Sequence, residues 1–120
     1  MSSRLIAIAI DCRDADALAE FWREALDYPL PQRWEDSHGR TYVELKAPDR
    51  PSILFQPVPE GKAGKNRLHL DVAPDQLDQR SEVERLVTLG ARVLEDPPDD
   101  PWIVLADPGG NEFCVLPARS

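Results

Sequence analysis

Apolar and polar residues alternate in the middle of the chain, where Leu68, Leu70 and Val72 interleave with Arg67, His69 and Asp71. A period of two predicts a strand with one face in a core. The opposite face places an imidazole and a carboxylate about 6.5–7 Å apart along the strand, and we read it as the wall of a cavity. The N-terminal run Leu5–Ile10 repeats the pattern, with Ile6, Ile8 and Ile10 on one face and Leu5, Ala7 and Ala9 on the other. After it, Asp14 can cap a helix whose apolar stripe is Leu18, Phe21, Trp22, Ala25 and Leu26, at steps of three and four. Pro29 and Pro31 end the helical reading.

Strands are predicted over 33–36, 41–45 and 52–56, separated by turns at 37–40 and 48–51. The stretch 58–65 has no period and reads as a connector. Beyond the central strand, a helix is predicted within 75–89, started by a Ser81/Glu84 capping box and ended by Gly90. Strands then follow over 92–94, 102–105 and 112–116, around a proline-stiffened acidic loop at 96–101 and a turn at 107–110. Each half thus reads strand, helix, three strands. The expectation is a single α+β domain over 1–120, built of two βαβββ repeats at about 4–57 and 66–117. Ala7 is set against His69 and Gln56 against Cys114, and Trp34 and Trp102 fall at matching places.

Composition narrows the function classes. The formal charge of −8, from 22 acidic and 14 basic residues, opposes nucleic-acid binding and permits a cationic ligand. No apolar run reaches membrane-spanning length, and the Met-Ser-Ser-Arg-Leu start lacks a secretory layout. The expected setting is cytoplasmic, with no membrane partner and with Cys12 and Cys114 reduced.

Three local pieces carry a resemblance: Ala19-Glu20-Phe21-Trp22 with Leu26, Asn66-Arg67-Leu68-His69-Leu70-Asp71, and Asp107-Pro108-Gly109-Gly110-Asn111-Glu112-Phe113. With the twin repeat, they make the whole chain similar to the glyoxalase I, bleomycin-resistance and extradiol-dioxygenase (vicinal oxygen chelate) superfamily, within a glyoxalase-like subgroup common in actinobacteria. The resemblance implies a half-open, cleft-bearing barrel, a homodimer, and metal-ligand positions on the first and last strand of each repeat. Here those positions are Ala7, Gln56, His69 and Cys114. Only His69 matches the usual ligand types, so no metal and no other cofactor is expected, and neither metal-dependent glyoxalase I nor dioxygenase activity.

The candidate site residues follow from both readings. Gln56, His69, Cys114, Trp34 and Trp102 are expected to contact a ligand, with His69 and Asp71 as the candidate acid/base pair. The function expected is binding of a small organic molecule in the cleft without the family's metal. The alternatives are a glyoxalase-like lyase or isomerase, using His69 with Asp71 or a non-standard metal site, and a structural or regulatory dimer. A lone strand histidine and a buried cysteine are also ordinary structural groups, which keeps all three open.

Overall fold

The computed structural model describes residues 1–119. The chain divides into two units, the first ending at Gly61 and the second beginning at Lys62.

In the first unit, strand β1 (Ala7–Cys12) leads to helix α1 (Ala15–Leu26) and then to β2 (Gln32–Glu35), β3 (Thr41–Ala47) and β4 (Arg50–Pro57). The sheet is open and mixed, in the order β1-β4-β3-β2, with β1 parallel to β4 and the other pairs antiparallel. Asp14 caps α1 by accepting the Ala17 N–H at 3.0 Å. The helix stops at Asp27, whose left-handed φ of 58° turns the chain two residues before the first of the expected proline breakers. Arg50 secures that end. Its guanidinium donates to the carbonyls of Leu26 and Asp27 and lies 4.1 Å from the Tyr28 ring centroid. The apolar stripe of α1 buries Leu18, Phe21 and Trp22, and alternation along β3 and β4 buries Val43, Leu45, Ile53 and Phe55. Each such side chain contributes roughly 1.5–3 kcal/mol relative to exposure.

The second unit repeats the plan: β5 (Leu70–Val72), α2 (Gln79–Leu89), β6 (Arg92–Glu95), β7 (Ile103–Ala106) and β8 (Glu112–Val115), in the order β5-β8-β7-β6. Val83, Leu86, Ile103, Leu105, Phe113 and Val115 are buried. Together these are two four-stranded mixed sheets with two helices, an α+β fold of twin βαβββ units, each sheet open at both edges.

Four sequence expectations need correction. The central strand is shorter than its alternation suggests, and Leu68 is 88% exposed rather than in the core. Helix α2 starts earlier than the Ser81 capping box implies, because Asp78 accepts the Ser81 N–H at 2.8 Å and serves as the cap. Trp34 and Trp102 are not equivalent: Trp34 lies within β2, whereas Trp102 precedes β7, the counterpart of β3. The repeat alignment also shifts by two. Asp11 stands opposite Gln56 across β1–β4 as Asp71 stands opposite Cys114 across β5–β8, so the counterpart of His69 is Ala9 rather than Ala7.

Candidate functional site

The second unit carries a cavity of about 380 Å³ lined by residues including His69, Asp71, Cys114 and Trp102. That volume lies in the range that holds a small organic ligand. Its floor is one face of the β5-β8-β7-β6 sheet. Along β8, Phe113 and Val115 turn to the core while Glu112 and Cys114 are half-buried on the other face. Alternation in one strand thus sets Glu112 and Cys114 towards the cavity, and the core residue Phe113 reaches its lining as well.

The strand registers place four cavity residues in a single row. Asp71 stands opposite Cys114, Cys114 opposite Val104, and Val104 opposite Glu95. Glu95 reaches the row because the β6–β7 register shifts between Val93 and Glu95. That bulge explains why period-two reading of the sequence missed it. Lys65, Val104, Glu112 and Leu116 were also not singled out as ligand contacts, though each lines the cavity. For Val104 and Leu116 the signal was available, since each stands two residues from Trp102 or Cys114.

His69 lies just before β5, and its Nδ1 is 3.3 Å from Oδ1 of Asp71. Both side chains are about half exposed, at 45% and 51%. The ligand-type atoms of His69, Asp71 and Cys114 all fall within 4.8 Å of one another. Burial pushes the Cys114 thiol above its ordinary range, and the Asp71 carboxylate pushes it further, with Lys65 opposing. A thiol so placed is held protonated, the reverse of an activated nucleophile.

Glu112 does a different job. It accepts the Asn66 backbone N–H at 2.9 Å and pairs with Lys62 at 3.1 Å. The Asn66 bond above all, with Lys62 in support, holds its carboxyl below the usual range. Beside it, the Asn66 side-chain amide donates to Asn111 at 3.2 Å. Asn111 in turn belongs to a turn closed on buried Asp107, which accepts the N–H groups of Gly109 and Asn111 at 2.9 Å each. Two of the three sequence motifs thus meet here, and they tie the segment bearing Lys65 and His69 to β8.

The other two candidates belong to the first unit. Gln56 is half-buried on β4, opposite Asp11. Trp34 is 44% exposed on β2 and stacks on Tyr42, its partner across β2–β3, with ring centroids 4.5 Å apart.

A family profile for the glyoxalase-like domain matches residues 7–116. The chain belongs to this family. Solved structures with the same fold include the trypanothione-dependent glyoxalase I of Leishmania major, 16% identical over 97% of this chain and 87% of that one, with a TM-score of 0.69. The fosfomycin resistance protein FosX of Mesorhizobium loti is 17% identical over 97% and 92%, with a TM-score of 0.75. A FosX mutant of Listeria monocytogenes, 14% identical over 99% and 95% with a TM-score of 0.74, was solved with Mn(II) and a dihydroxypropylphosphonic acid. No curated protein matches the sequence. No helix of the described residues is long and apolar enough to cross a membrane.

The glyoxalase-like chain does not fit the metal set of its superfamily. By register the four ligand positions are Ala9, Gln56, His69 and Cys114. The first has no donor atom and the second is a neutral amide, which leaves only His69 and Cys114 as metal donors at the four positions.

Proposed function

We propose that this glyoxalase-like protein binds a small organic molecule in the cavity of its second unit, without the superfamily's metal. The observation that supports this most is the 380 Å³ space in which an imidazole, a carboxylate and an indole line one wall system. His69 and Asp71 supply polar contacts, Cys114 acts as a neutral, polarizable floor, and Trp102 offers apolar area. Gln56 and Trp34 are the first unit's ligand-contact candidates in their own right. The setting remains cytoplasmic, with no nucleic-acid or membrane partner, and the protein works as a homodimer. A thermal-shift screen of small organic acids, amines and alcohols is the test, run on wild type, His69→Ala and Asp71→Ala. Hits weakened by both substitutions support the reading; hits equally strong on all three proteins contradict it.

A second reading, a lyase or isomerase, is favoured by the 3.3 Å contact between His69 Nδ1 and Asp71 Oδ1. A carboxylate there orients the ring and leaves Nε2 to exchange a proton with a substrate. The 4.8 Å grouping of His69, Asp71 and Cys114 supports a non-standard metal site as a variant of this reading. Elemental analysis separates them: about one zinc, nickel or iron per chain would move the enzyme to the front.

A further inference from the structure

We propose that the ligand of this cavity is an organic cation with an apolar body, an amine whose charge is met by Asp71 or Glu95. This rests on the reading that the second-unit cavity is the ligand site. The row Asp71–Cys114–Val104–Glu95 has a carboxylate at each end and two groups without charge between them. Three strand spacings separate its ends, about 14 Å between backbones at roughly 4.8 Å per step. The two carboxylates therefore do not converge on one point, as the ligands of a single metal ion would.

The remaining charges leave that row acidic. Glu112 is answered by Lys62 and by the Asn66 N–H. Asp71 is met by the His69 imidazole and the Cys114 thiol but by no lysine or arginine, and the Glu95 side chain has no ion-pair or hydrogen-bond partner among the described residues. Lys65 is the single lysine or arginine on the lining. Over the apolar middle of the row, Val104 and Leu116 offer aliphatic surface, and Trp102 presents an indole that attracts cations and alkyl chains alike. An anion would have to sit on this row with one lysine against two carboxylates, whereas an ammonium group meets a carboxylate at either end. A linear diamine meets both.

The test is isothermal titration calorimetry at low salt with hexylamine, hexamethylenediamine, hexanol and hexanoate, on wild type, Asp71→Asn, Glu95→Gln and Val104→Phe. The diamine is expected to bind most tightly, hexylamine next, and hexanoate not measurably. Glu95→Gln should lower diamine affinity about tenfold, towards that of hexylamine, and Asp71→Asn should do likewise. Val104→Phe, which fills the floor without touching a charge, should abolish all binding. If hexanol or hexanoate binds as well as the amines, and Val104→Phe abolishes it, the cavity stands and the cationic ligand is wrong. If no probe binds, or if Val104→Phe leaves every affinity unchanged, the cavity reading fails and the inference fails with it. Zinc alone binding at one per chain, displaced by none of the amines, would make the His69 end a metal site and overturn the proposal.

Discussion

Asp71 and Cys114 stand directly opposite each other across the parallel pair of β5 and β8. Their first-unit counterparts, Asp11 and Gln56, hold the same relation across β1 and β4. Each unit thus keeps an acid beside a variable last-strand position, but only the second unit adds a histidine two residues upstream, where the first has Ala9. The chemistry-bearing residues gather in one half of a duplicated fold.

Core and cavity-facing residues of the second unit should respond differently to truncation. Leu105→Ala or Leu86→Ala, at residues with no more than 1% exposure, should cost roughly 2–5 kcal/mol. His69→Ala and Asp71→Ala, half exposed, should cost about 1 kcal/mol or less, and exposed Leu68→Ala about 0.5 kcal/mol or less. Urea unfolding checks the ranking, and a His69 variant as unstable as Leu105→Ala would return that face to the core.

Cys114 should be a slow thiol. Burial, with Asp71 beside it, raises its pKa, so its thiolate appears only at higher pH than that of an ordinary cysteine. Peptide-resolved alkylation should find Cys114 less reactive than glutathione at neutral pH, and Asp71→Asn should speed it. Reaction at neutral pH as fast as glutathione would contradict the assigned environment.

Glu112 should make the second unit acid-sensitive. Its folded pKa lies below the ordinary 4.5, so its stabilising contribution is present above that value and lost as pH falls through the lowered one. Glu112→Gln should flatten the acid limb of the stability profile and speed hydrogen exchange at the Asn66 amide, whose acceptor it weakens. Unchanged Asn66 exchange would mean the tie to β8 is not made.

Much of this was legible in the alternation itself. Leu45, Phe55, Leu105 and Phe113 are buried as their strands' periods require. Leu68 was misplaced because alternation reports a strand's capacity, not its length. Asn66 gives its N–H to the Glu112 side chain, and the ladder begins only at Leu70. Glu95 was hidden for a related reason: the irregularity after Val93 changes which residues share a face, and no residue type there announces it. Asp78 and Ser81 both suit a helix start, and only geometry shows that Asp78 takes the Ser81 N–H. The grouping of His69, Asp71 and Cys114 required the β5–β8 register, which joins residues more than forty positions apart.

The protein should be a homodimer in solution. A chain of 120 residues has a modest core, and Leu5, Ile6 and Leu30 remain more than 60% exposed. Light scattering at micromolar concentration should give twice the chain mass; the mass of one chain would contradict this.

Whether the second-unit cavity takes the ligand is read by NMR titration with hexamethylenediamine and hexanol, following the Val104 methyls, the Trp102 indole N–H and the amides of Asp71, Glu95 and Cys114. Saturable shifts are expected at these groups with at least one probe, and none in Val104→Phe. Saturable shifts confined to groups outside the cavity lining, or no shift with either probe, would contradict it.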